Sequence, residues 1–308
     1  MRRAVIGVLL LLALLAPRGA RAAEGGSGNY APGFYGDFGM AFLPEPGTFF
    51  NNWLSYYHGT FSPAVPGLAL DLDYKTNTVV EAPGIIHVPQ MTVLGGHLGM
   101  AAFLPLVYTE ATETISGPGI RQRKSEARFG LGDMYLVPLG ILWNFGDFNL
   151  LAYEGFIAPT GSYDRDRLLN TGRNYWSFDS NIGFTWLDQR GGHEVSSMIG
   201  YMANTTNGAT DYRSGNDFHL DYLIGQYVSE RFAVGVTGSY YKQVNGDSGD
   251  GAILGGFMGR GNSIGPALLL TVEPWGKQIT FTTKWLHEFE VKNRFAGDFV
   301  YLLLVAKL

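Results

Sequence analysis

The chain has 308 residues, 46% of them hydrophobic, no cysteine, and a formal net charge of −5. The missing thiols exclude a disulfide framework and a thiolate metal site. The acidic balance makes nucleic acid a poor partner.

The chain opens MRRAVIGVLLLLALLAPRGARAA. Arg2 and Arg3 form a positive n-region, Val5 to Leu15 an apolar core, and Ala20-Arg21-Ala22 a small-residue cleavage site. Residues 1–22 are therefore predicted to be a secretory signal peptide, cleaved near Ala22. The alternative is a retained anchor, but the apolar run falls short of the ~20 residues that span a bilayer. Cleavage removes four of the 22 basic residues and none of the 27 acids, which takes the net charge to about −9. Residues 23–46 follow, rich in Gly, Pro and aromatics. They either fold into an interior as a plug or lie loosely beside it.

From residue 47 to 308 the pattern is period-2 segments bounded by turn residues, which predicts strands. Twelve are expected, near 47–60, 66–80, 90–110, 125–143, 147–159, 173–187, 193–204, 215–228, 231–244, 262–273, 278–290 and 297–308. Glycines, 43 in all, are scattered through the apolar segments and argue against long helices. Connections alternate in length. NFGD (144–147), LDQRGGH (187–193), SER (229–231) and EPWGK (273–277) are short. PTGSYDRDRLLNTGR (159–173), NTTNGATDYRSG (204–215) and NGDSGDGAILGGFMGRG (245–261) are long. Only VKNRFAG (291–297), on the long side, is brief. Short and long connections at opposite ends are the pattern of an all-β, antiparallel, up-and-down transmembrane barrel. In NGDSGDG, Asp247 and Asp250 lack the ligand pattern of a calcium loop, so a solvated turn is expected.

The stretch YWSFDSNIGFTWLD (175–188) sharpens this expectation. Trp176, Phe178, Ile182, Phe184 and Trp186 share one face, and Ser177, Asp179, Asn181 and Thr185 the other. Ten residues separate the tryptophans, roughly 33 Å along a strand, or about 25 Å along the membrane normal after a tilt near 40°. Trp176 and Trp186 are thus predicted to sit in two aromatic girdles with lipid-facing residues between them. A soluble sandwich would bury the same face against a second sheet, but it leaves the leader, the paired tryptophans and the loop asymmetry unrelated. In the final strand, Ala306, Leu304, Leu302 and Val300 form an apolar outer face. The other face, Phe299, Tyr301, Leu303 and Val305, is also apolar, so either a plug packs there or that wall is hydrophobic.

Several segments resemble the bacterial MetA-pathway of phenol degradation family. They include NYAPGFYGDFGMAFLPEPGTFF (29–50), LGGHLGMAAFLP (94–105), GLGDMYLVPLGILWNFGDF (130–148), APTGSYD (158–164), TDYRSGNDFHLDY (210–222) and SIGPAL (263–268). The resemblance runs in order along the whole mature chain. It implies an outer-membrane barrel of Gram-negative bacteria that takes up small hydrophobic compounds, aromatic ones first. Bacterial barrels of this kind end in an aromatic assembly signal, and Leu308 departs from it.

The functional expectation is passive transport, with selectivity set by lumen width and lining. The residues expected to line the lumen and substrate path are Glu154, Asp179, Asn181, Glu194, His219, Asp221, Gln243, Lys284 and Glu288. Expected partners are outer-membrane lipid and lipopolysaccharide, a small hydrophobic substrate and the barrel-assembly machinery. No cofactor or metal is expected. The alternatives are an outer-membrane hydrolase and a structural barrel without transport. Against the hydrolase, the sequence has no H-E-x-x-H and no paired metal-ligand motif.

Overall fold

The computed structural model describes residues 28–62, 71–167, 169–252, 255–256 and 258–308. The expected signal peptide lies outside the described residues. Twelve antiparallel strands make one sheet: β1 (Gly47–Phe61), β2 (Asp71–Val88), β3 (Gly96–Phe103 and, in line with it, Leu106–Gly117), β4 (Ile120–Leu131 and Met134–Phe145), β5 (Phe148–Ala158), β6 (Ser177–Leu187), β7 (His193–Asn204), β8 (Asp217–Ser229), β9 (Phe232–Gln243), β10 (Arg260–Val272), β11 (Ile279–Lys292) and β12 (Ala296–Lys307). Each strand pairs with the next, and β12 returns to β1 from Phe49↔Lys307 to Thr60↔Ala296. That last pairing closes the sheet into a barrel and removes the open edges a flat sheet would leave.

Strand alternation separates the two faces. On β6, Ser177, Asp179, Asn181 and Thr185 are buried inside while Phe178 and Ile182 are exposed. Val234 and Val236 on β9, Leu268 and Leu270 on β10, and Val300 and Leu302 on β12 continue the exposed apolar belt. Exposed Tyr56, Tyr108, Trp176 and Tyr201 rim it at the long-loop end, and Phe145, Phe148 and Phe232 at the short-turn end. A continuous apolar belt between two aromatic rims is a lipid-facing surface. The barrel therefore spans a membrane.

Three early strands differ from the sequence expectation. β2 runs Asp71–Val88 rather than 66–80 (66–70 lie outside the described residues), β3 reaches Gly117 rather than 110, and β4 starts at Ile120 rather than 125. Thr76–Asn77–Thr78, Thr112–Glu113–Thr114 and Arg121–Gln122–Arg123 carry polar residues on both faces. No apolar alternation marks strands there, because these ends rise beyond the lipid-facing belt. Their ladder is continuous, from Asp71↔Ser116 to Glu81↔Leu106 and from Leu106↔Leu131 to Gly117↔Ile120. β5 ends at Ala158, so among the described residues Ile120–Gly130 of β4 has a free outer edge.

The wall of β2–β4 is also irregular. Pro83, Pro105 and Pro138 lack the backbone N–H a ladder needs. β3 is interrupted at Leu104–Pro105, β4 at Gly132–Asp133, and the β4–β5 register slips between Leu136 and Leu139.

Candidate functional site

From Asn29, beside Ser177 at the long-loop end of β6, to Ala41, beside Thr185 near its short-turn end, the N-terminal segment lies inside the barrel as a plug. Tight turns fold it, with Phe34 N bonding Ala31 O at 3.0 Å and Gly36 N bonding Gly33 O at 3.1 Å. Gly33 has φ +77°, and a Cβ there would collide with Leu286, so only glycine fits this approach to the wall. Met40 and Ala41 pack among Leu142, Leu151, Met198, Leu223 and Ala267. Phe299 and Tyr301 are buried with Leu286, and the Tyr301 hydroxyl donates to Pro32 O at 2.9 Å. The apolar inner face of β12 is therefore the seat of the plug.

Eight of the nine expected lumen residues face inward, and nearly all serve the plug or the wall beside it. The Tyr35 hydroxyl donates to Asp179 at 2.6 Å and the Tyr30 hydroxyl to Asp221 at 2.9 Å. His219 lies between these carboxylates, its Nε2 2.9 Å from Asp179 and its Nδ1 3.7 Å from Asp221, and its ring stacks on Tyr30 at 4.3 Å. Asn181 donates to Asp179 O at 2.9 Å. Glu194 accepts the Gly39 N–H at 2.7 Å. Lys284 donates to Gly33 O at 2.6 Å and pairs with Asp37 at 2.9 Å. Glu288 accepts from the Tyr57 hydroxyl at 2.9 Å and faces Arg294 at 3.6 Å. Gln243 bonds Asp247 and the Gly259 N–H, at 2.9 and 2.6 Å.

Glu154 is the correction. It pairs in register with Leu139 and Ser180 and shares the outer face with Leu150 and Phe156, so it meets lipid rather than the lumen. Its Oε2 accepts from the Ser180 hydroxyl at 2.6 Å. Trp176 and Trp186 both belong to that outer face, at opposite ends of β6. Asp247, expected in a solvated turn, is instead buried and takes hydrogen bonds from Tyr212, Gly215 and Gln243.

Above the plug an open cavity of about 980 Å³ remains. The plug contributes Tyr30, Phe34 and Tyr35 as its floor, and β1–β4 contribute Trp53, Tyr57, Thr76, Thr78, Phe103 and Tyr135. Phe34 lies against Trp53 at 4.4 Å, and Tyr57 stacks on Phe299 at 4.1 Å. Aromatic rings and hydroxyls make up its floor and the wall beside it, and charged residues, among them Glu113, Lys124, Asp133, Arg165, Arg167 and Arg294, also line it. None of the nine expected residues borders this cavity. Sequence reasoning missed its lining because aromatics lie on both faces of β1, where Leu54 and Tyr56 point out and Trp53 and Tyr57 point in. Chemically the cavity can hold an apolar molecule by contact and orient it through hydroxyls. His219 has carboxylates at both ring nitrogens and no hydroxyl nucleophile on it. Among the described residues no cluster of His, Asp and Glu is arranged to hold a metal ion.

No curated protein matches the sequence. Among solved structures, the chain is similar to the COG4313 outer membrane channel from Pseudomonas putida F1, with 16% identity, a TM-score of 0.69, 91% of this chain covered and 100% of that one. Weaker likenesses are to the transport unit of the autotransporter AIDA-I from Escherichia coli (9% identity, TM-score 0.43, 89% and 94% covered) and to a Pseudomonas aeruginosa FadL homologue (9%, 0.38, 84% and 88%). The family model described as "Putative MetA-pathway of phenol degradation" matches residues 24–304, and the chain belongs to that family.

Proposed function

We propose that this barrel sits in the outer membrane of a Gram-negative cell and passively takes up small hydrophobic molecules, aromatic ones among them. The observation that carries the reading is the aromatic-lined cavity of about 980 Å³, floored by the plug and open toward the long loops. An aromatic ring would stack there on Phe34, Trp53 or Phe103, and its polar substituents would meet Thr76, Thr78 and Tyr135. The likeness to an outer membrane channel and the family's association with phenol degradation support the same reading. With the axial route floored by the plug, the substrate leaves sideways. The interruptions at Leu104–Pro105 and Gly132–Asp133 lie in the wall between cavity and lipid, and passage there does not expose backbone edges to water.

The test is uptake of radiolabelled aromatics by cells carrying Leu104→Cys with Met134→Cys, a pair on the two strands beside the break. The chain has no other cysteine to confuse the result. Oxidised cells should take up several-fold less label than the same cells after reduction. Equal uptake in both states would reject the lateral exit. No protein-dependent uptake of any compound would reject hydrophobic transport itself.

A further inference from the structure

The acidic chain concentrates cations at the upper end of β4. Arg121, Arg123, Lys124 and Arg128 stand within eight residues of β4, with Glu126 the one acid among them. Glu126 is spoken for by Arg128 at 2.9 Å. Lys124 points inward and lines the cavity, whereas Arg121 and Arg123 share the outward face with Phe129, are exposed, and have no ion-pair partner among the described residues. They lie on the stretch of β4 whose outer edge is free, so backbone donors and acceptors line the same border.

Their height decides what they can meet. Phe129, 73% exposed, and Leu131 stand on the outward face of β4 at the level of the aromatic rim. Arg123 is six residues above Phe129 on that face, about 20 Å along the strand and about 15 Å along the membrane normal after tilting. That is above acyl chains and within a layer of sugars. Beside the arginines on β3, Thr114 faces Arg123 and Ser116 faces Arg121, so each guanidinium has a hydroxyl next to it. Guanidinium paired with hydroxyl suits a phosphorylated sugar, since the fork binds phosphate bidentately.

We propose that Arg121 and Arg123 are a docking site for the phosphorylated glycolipid of the outer leaflet. The phosphates take the cations and the acyl chains lie on Phe129 and Leu131. This rests on the outer-membrane location proposed above and not on the uptake reading. Its role is to anchor the tall β2–β4 wall, with its free edge, in the lipid layer.

The experiment measures binding of a fluorescent bisphosphorylated glycolipid to the mature barrel folded in micelles. Compared with it are the same glycolipid without phosphates, inorganic phosphate as competitor, the double variant R121S/R123S, and R190S/K277S, which removes two charges at the opposite end. Loss of the edge cations should weaken binding about tenfold, from attraction of Lys and Arg to an anionic surface. Removing the phosphates should have a similar effect on the parent protein, and the opposite-end variant should bind normally. The charge-keeping R121K/R123K, which loses the bidentate fork, should bind between the parent and the double variant, which guards against a misfolded double variant. Equal loss in both double serine variants, or equal binding of the phosphate-free lipid, would overturn the proposal. So would displacement by inorganic phosphate at concentrations equal to the glycolipid, or an edge-dependent dimer, because each names a different occupant.

Discussion

Glu154 is a carboxyl in the apolar belt, midway between the two tryptophans of the neighbouring strand, with only the Ser180 hydroxyl to satisfy it. Its strand reads FNLLAYEGFIA, with apolar residues on both faces, so side-chain alternation does not tell which way the glutamate points. A polar residue in a greasy strand was expected inside. The register against β4 and β6 decides otherwise. Acidic groups on a barrel's lipid face cost less than basic ones but still destabilise. Glu154→Leu should therefore stabilise the folded barrel by about 1 kcal/mol, measured as the urea midpoint in micelles. A lower midpoint would mean that the Ser180 bond supports β5 against β6 and outweighs the desolvation.

At the scale of elements, the plug is held by hydrogen bonds to strands distributed around the barrel. Asn29 bonds Ser177, Tyr30 Asp221, Tyr35 Asp179, Gly39 Glu194, Ala41 Thr185, and Thr237 and Lys284 reach its carbonyls. At about 1 kcal/mol net each, together with the packing of Met40 and Ala41, these bonds keep the axial route shut. Lys284 is the central tie, with its ammonium also 5.3 Å over the Trp53 ring and 4.9 Å over Tyr301. Lys284→Met leaves Asp37 buried without its cation, a loss of about 3–5 kcal/mol when one partner of a buried pair is removed. The expected outcome is larger and noisier ion conductance in planar bilayers, with the barrel still resistant to detergent. Conductance like the parent's would show that the other bonds suffice.

At the scale of the whole molecule, a closed barrel with a fixed floor and a broken side wall separates two questions that a simple pore would merge. Ala41→Cys with Thr185→Cys, whose parent residues are bonded at 3.0 Å, should lock the plug to β6. If substrate leaves through the wall, the locked barrel should transport hydrophobic label at the parent's rate while showing no conductance increase under voltage. If uptake stops on oxidation and returns on reduction, the route is axial and the plug must move. This complements the β3–β4 lock, since one wall and one floor cannot both be the exit.

The sequence by itself determined the class of object. Period-2 apolar faces, paired tryptophans on β6 and alternating connection lengths are local features, and they sufficed for twelve strands and a lipid-facing exterior. The second-half strands matched within a few residues because each alternates sharply between a greasy and a polar face. Where β2, β3 and β4 climb beyond the belt, polarity no longer alternates and the boundaries shifted. The lumen site was legible only as inward polarity. Asp179, His219 and Asp221 could be placed on inner faces, but their ligand, the Tyr30–Asp37 turn of the plug, is 140 or more residues away in the chain. Only closure of the barrel brings them together. The cavity is likewise a product of tertiary structure, being the volume the plug leaves empty, and no spacing along a strand encodes what another segment fails to fill.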